Sequence, residues 1–104
     1  MAFKVRLIQH FKPDMRQEFM ELEKEFSLLE QTVVEFPKGK RLLVYSGREP
    51  DNTLIWECEF CDLQEVYKVL SYYQNDKRHD DLFQKQKPYI LDTYTEIYQV
   101  FEGK

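Results

Sequence analysis

His10 and Arg6 are the two side chains of this sequence best suited to chemistry. Both sit in a stretch where apolar and polar residues alternate, so in an extended strand both project from the same face. An imidazole titrates near neutral pH and can take or return a proton, and a guanidinium grips a carboxylate or a phenolate. Together they would orient and deprotonate a bound molecule. The structural alternative is that each pairs across a sheet with Glu57 or Glu59.

Three other groups carry chemical side chains. His79, Asp80 and Asp81 have metal-ligating types, but hydrolytic and redox metals need three or four convergent ligands and no second cluster matches them. No metal is expected. Asp80 and Asp81 suit the start of a short helix, which would leave His79 facing solvent. Cys58 and Cys61 have the C-x-x-C spacing, yet Cys58 falls inside a strand pattern rather than at a helix start, where a dipole would lower a thiol pKa. Structural thiols are expected. Tyr45, Tyr94 and Tyr98 suit either a pocket wall or a subunit interface.

The frame that must position these residues is small. The 104 residues suffice for one packed core, so residues 1–104 are read as a single domain. Hydrophobic residues make up 42% and charged residues 33%, a balance that folds rather than one that stays disordered. A net charge of -4 argues against unspecific binding to phosphate backbones, so no nucleic acid is expected as a partner. The N-terminus lacks a signal-peptide pattern and no segment approaches a membrane helix, so neither a membrane association nor export is expected. Two cysteines do not make a disulfide framework, which agrees with a cytoplasmic location.

Periodicity places the elements. Residues 2 to 11 alternate, with Phe3, Val5, Leu7 and Phe11 on one face and Lys4, Arg6, Ile8 and His10 on the other. Pro13 opens a helix running to about Gln31, with Met15, Phe19, Leu22, Phe26 and Leu29 as its apolar stripe. Residues 32 to 36 are left open between extended and irregular. A second strand is expected over residues 41–46, a turn over 47–52 and a third strand from Thr53 to Phe60. Asp62 and Glu65 form a capping-box-like start to a second helix carrying Leu63, Val66, Val69, Leu70 and Tyr73. The stripe fails over residues 74–81 and resumes at Leu82 and Phe83, which predicts a break near His79 and a short third helix before Pro88. Residues 89–101 suit a last strand.

The order is β-α-β-β-α-β. Its usual outcome is an α+β, ferredoxin-like fold: a four-stranded antiparallel sheet with helices on one face. The other face would present Arg6, Ile8, His10, Leu43, Tyr45, Ile55, Glu57 and one set from the last strand, such as Tyr94, Glu96 and Tyr98. That mixture fits the lining of a partly wet cavity between two sheets better than open solvent.

With this order, with Trp56 shortly before the Asp62 helix, with an interrupted helix carrying His79, Leu82 and Phe83, and with a Tyr-rich last strand, the chain resembles the dimeric α+β barrel superfamily. That superfamily includes antibiotic-biosynthesis monooxygenases, muconolactone isomerases, haem-degrading monooxygenases and stress-responsive barrel proteins. The resemblance covers nearly the whole chain and implies a homodimer whose two sheets face each other, with ligands between sheet and helices or in the interior. The haem degraders couple a Trp to a His ten residues later, whereas Val69 stands ten before His79, so haem chemistry is not carried over and no cofactor is expected. RNA-recognition modules need aromatic signatures that residues 54–60 lack, and the acylphosphatase glycine-rich loop is absent after the first strand.

Two functions from different classes follow. The first is a homodimeric protein binding a small organic ligand, acting as a cofactor-independent monooxygenase or isomerase on an aromatic or polyketide-like compound. Arg6 and His10 are its catalytic candidates, and Tyr45, Glu57, His79 and Tyr98 its ligand-binding candidates. The second is a non-catalytic dimeric binding or regulatory module in which the ionisable face is structural.

Overall fold

The computed structural model describes residues 2–101. The single-domain reading reaches at both ends to positions outside the described residues.

The elements run β1 (Phe3–Phe11), α1 (Arg16–Thr32), β2 (Lys40–Leu43), β3 (Thr53–Phe60), α2 (Leu63–Asn75), α3 (Lys77–Gln86) and β4 (Ile90–Gln99), with single 3-10 turns at Pro13–Met15 and Lys87–Tyr89. The sheet is antiparallel throughout in the order β2-β3-β1-β4, which is the ferredoxin-like arrangement. Val5 pairs with Cys58 and Leu7 with Trp56, so the apolar sets of β1 and β3 share the helix-side face. There Val5, Trp56 and Phe60 pack on Val66 of α2, and Phe11 and Leu54 pack on Phe19 of α1.

The sequence-based expectations need three corrections here, and the segment left open after the first helix is irregular. β2 ends at Leu43 rather than at residue 46, because the chain from Val44 turns into a long hairpin loop. Its register sets Leu42 against Ile55 and Leu43 against Leu54, so Leu42, not Leu43, shares the open face with Ile55. Residues 33–39 form no strand, although Val33 and Phe36 are buried. The break between the second and third helices falls at Asp76, earlier than expected. The Asp76 carboxylate accepts from the backbone N–H groups of Arg78 (2.9 Å) and His79 (3.1 Å), and this cap starts α3 at Lys77, ahead of the break expected near His79.

Asp62 caps α2 as its spacing suggests: its carboxylate accepts from Glu65 N–H at 2.8 Å, and Glu65 in turn accepts from the backbone of Cys61 at 3.2 Å.

Candidate functional site

A cavity of about 510 Å³ lies between the helix-side face of the sheet and the three helices. Val5 and Leu7 of β1 and Trp56 of β3 line its sheet side, Leu70 and Tyr73 come from α2, and Phe26 from α1. Phe36, in the segment after α1, and His79 and Phe83 of α3 complete an aromatic enclosure.

His79 belongs to this wall and does not face solvent. The Asp76 cap sets it in the first turn of α3, with its ring turned inward. It stacks on Tyr73 with centroids 4.8 Å apart and planes at 29°, and meets Phe26 at 5.1 Å. Burial pushes its pKa below the ordinary value, against the pull of Asp76, Asp80 and Glu23, so the ring is held neutral. Burial likewise pushes the Tyr73 hydroxyl up, and that hydroxyl donates to the Pro37 carbonyl at 3.3 Å.

The polar side of the cavity is a buried ion cluster. Phe19, Glu23, Phe26 and Glu30 follow one another at spacings of four, three and four along α1, and all four are buried. Arg41 pairs with Trp56 across β2 and β3 and so points to the helices. Its Nε donates to Glu23 Oε2 at 2.6 Å, and its Nη1 and Nη2 donate to the two oxygens of Glu30 at 2.8 and 3.1 Å. Burial pushes the Glu30 carboxyl up, and the bonds from Arg41 offset this only in part. At the end of α3, Gln86 is fully buried and donates through Nε2 to Glu23 Oε1 at 2.9 Å.

Two polar atoms of the lining remain unmatched among the described residues. Gln86 Oε1 has no donor. The Trp56 indole N–H lies near enough to Glu30 to help hold its carboxyl down, yet no acceptor meets it in hydrogen-bonding geometry. Gly39 is required here by close approach alone: a methyl added at its Cα would overlap the Trp56 indole.

Of the six candidates from the sequence, His79 alone lines the cavity. Arg6, His10, Glu57 and Tyr98 lie together on the opposite face of the sheet, as the alternation of β1 requires. Arg6 Nε donates to Glu57 Oε2 at 3.0 Å, Lys4 approaches the same carboxylate at 3.7 Å, and the Arg6 guanidinium lies 5.6 Å from the centre of the Tyr98 ring. His10 Nε2 meets Glu49 Oε2 at 2.8 Å, and Glu49 also accepts from Tyr94, whose hydroxyl is thereby pushed up to about 12. The hairpin loop bearing Glu49 therefore reaches over β1 to β4. Tyr45 lies on the same loop, 99% exposed and outside both clusters.

Cys58 and Cys61 are free, and burial pushes the Cys58 thiol up, away from the range of a reactive thiolate. Among the described residues no three or more His, Cys, Asp or Glu side chains converge to hold a metal ion, and no helix is long and apolar enough to cross a membrane.

No family model matches the chain, and no curated protein sequence does. Solved structures match over nearly its full length. A NIPSNAP family protein from Agrobacterium tumefaciens strain C58 superposes with a TM-score of 0.81 at 14% identity, covering 98% of this chain and 95% of that one. An antibiotic biosynthesis monooxygenase superposes at 0.69 with 13% identity, over 96% and 99% of the two chains. The chain shares with these proteins its ferredoxin-like α+β fold. A NIPSNAP domain protein from Burkholderia xenovorans superposes with a TM-score of 0.78 at 13% identity, over 97% and 95% of the two chains. Identities this low are silent on what any of these proteins shares with this one beyond the fold.

Proposed function

We propose that this chain is a homodimer that binds a small aromatic molecule in the helix–sheet cavity of each subunit and acts on it as a cofactor-independent monooxygenase or isomerase. The observation that carries the reading is the cavity itself, an aromatic enclosure in which the buried Gln86 Oε1 and Trp56 Nε1 have no hydrogen-bond partner. Buried polar groups without a partner are rare in folded proteins and mark places that a ligand or water completes.

His79 is the catalytic residue in this reading. A neutral imidazole on the wall can take a proton from a bound hydroxyl or activated C–H group. An isomerase returns that proton at another carbon of the same molecule, and an oxygenase leaves the electron-rich anion to react with dioxygen. Arg6, His10, Glu57 and Tyr98 then serve the opposite face, where they would line the space between two facing sheets.

The homodimer is supported by how much surface one chain leaves uncovered. The chain exposes 7286 Å², whereas a compact monomer of its 12.8 kDa mass would expose about 6,300 Å². It is a slab with a shortest extent of 19 Å, a sheet with one layer of helices. A cytoplasmic setting without nucleic-acid partners fits the free thiols and the net charge of -4.

The second reading, a non-catalytic dimeric binding or regulatory module, draws support from Arg41, whose charge is fully engaged by Glu23 and Glu30 and is not free for catalysis.

Native mass spectrometry of freshly purified protein tests the proposal. A dimer carrying an added small-molecule mass per subunit, lost from His79→Ala without loss of the dimer, is the expected result. A monomer would overturn the assembly, and a dimer that takes up no aromatic compound would overturn the binding role. A retained compound recovered chemically unchanged after incubation with dioxygen would favour the non-catalytic module.

A further inference from the structure

We infer that the cavity selects, among planar aromatic molecules, those that carry a hydrogen-bond donor and no negative charge. Resting on the binding role proposed above, this selection narrows the class of molecule and runs opposite to what an arginine in a pocket usually signals.

Arginine in an apolar cavity is ordinarily where an acid docks, because its fork matches a carboxylate. Arg41 is already spent. Its Nε, Nη1 and Nη2 each donate to a carboxylate oxygen of Glu23 or Glu30. With Glu30 ionised the cluster sums to one negative charge, and with Glu30 protonated it sums to zero. In neither state does it offer a net positive charge. The remaining ionisable groups on the lining are Asp80, which adds a negative charge, the Tyr73 and Tyr94 hydroxyls, both pushed up and so neutral, and His79, which is held neutral among aromatic rings. A carboxylate or phenolate entering the cavity would shed its water and find no cation to replace it.

The demand for a donor comes from Gln86. Its Nε2 is committed to Glu23 Oε1 at 2.9 Å and to the Phe19 carbonyl at 3.4 Å. Turning the amide over would set its oxygen against the Glu23 carboxylate, so the orientation is determined by charge. The side chain is fully buried and lines the cavity with Oε1 unmatched, so a hydroxyl, amide or amine hydrogen is the group that completes it. The stacked rings of Tyr73 and His79, with Phe26 beside them, favour a flat partner.

Calorimetric titration of the whole chain at neutral pH with 2-naphthol, 2-methoxynaphthalene and 2-naphthoate tests this. The naphthol is expected to bind tightest, the ether about tenfold more weakly for the loss of one hydrogen bond, and the naphthoate most weakly. Gln86→Met should bring naphthol and ether level. Glu23→Gln combined with Glu30→Gln, which releases the Arg41 charge, should raise naphthoate affinity. If these variants fail to fold, the ranking on the natural protein decides. Naphthoate binding as tightly as naphthol overturns the charge selection and leaves the binding role standing, and ether matching naphthol overturns the donor requirement. Binding of none of the three overturns the cavity's binding role itself.

Discussion

Arg41 on β2 grips Glu30 on α1 through two parallel hydrogen bonds, 2.8 and 3.1 Å long, from a position where both side chains are nearly excluded from water. This clamp joins an edge strand of only four residues to the helix layer. Arg41→Met would leave Glu23 and Glu30 buried without their cation, and about 3–5 kcal/mol of stability is expected to be lost at neutral pH in denaturant unfolding. The loss should shrink in acid. Burial raises the Glu30 carboxyl in the folded state, so its share of stability is full below the unfolded value of 4.5 and is lost as pH rises through the raised folded value. Without Arg41 that window extends further upward, and an equal loss in denaturant unfolding at acid and at neutral pH would show that the clamp is not ionic.

Gly39 and Trp56 make the second test. Gly39→Ala drives a methyl into the indole, and overpacking of this kind costs about 1–3 kcal/mol. Trp56 is the one tryptophan of the chain, so its emission reports the displacement directly. A melting temperature and emission spectrum unchanged from the natural protein would mean that the loop simply moves aside.

His79 carries a pH dependence of opposite sign to that of Glu30. Its folded pKa is lowered by burial, so its contribution is whole above the unfolded value of 6.5 and is lost as pH falls from there through the depressed folded value. His79→Phe keeps the aromatic stack and should flatten the decline in stability on the acid side of neutrality. Histidine proton shifts followed by NMR should place the His79 midpoint below 6.5. A midpoint at or above that value would place the ring in water.

Glu49→Ala tests the clasp across the open face. Removing the carboxylate that accepts from both His10 and Tyr94 should bring the Tyr94 hydroxyl from about 12 toward the ordinary value of 10 in an ultraviolet titration, and should speed amide exchange over residues 44–52. Unchanged exchange would show that the loop is held by backbone bonds such as Phe11 N–H to Asn52 O at 3.0 Å.

Strict alternation made β1 and β3 legible in the sequence, and the Asp62–Glu65 spacing marked the start of α2, because in each a local pattern and the tertiary packing ask for the same residues. Of the candidate site, the apolar wall was legible at Val5, Leu7, Phe26, Leu70 and Tyr73, which periodicity sets on inward faces, whereas His79 entered as a ligand-binding candidate expected to face solvent. Glu23 and Glu30 stand within the buried face of α1, but a carboxylate there reads as a break in an apolar stripe until Arg41 is known to point inward. That direction depends on the register of a four-residue strand, which alternation alone does not specify. Asp76, Asp80 and Asp81 are all suitable helix caps, and the choice of Asp76 is made where α2 ends, so the inward turn of His79 could not be read from spacing. Gln86 gave no signal, since a glutamine before a proline-containing turn is ordinarily solvated.

The break at Asp76 divides labour between two halves of what would otherwise be one rod. α2 is tied to the sheet through Val66, which is fully buried, whereas α3 has only Gln86 buried and contributes His79, Asp80 and Phe83 to the cavity wall. Substitutions at Asp80 and Phe83 thus alter the wall away from Val66, which fixes α2 to the sheet, whereas Gln86 and His79 are bound into the helix layer itself. Under the proposed binding role, the ten residues of α3 are where a change of side chain would most directly alter what the wall offers a ligand.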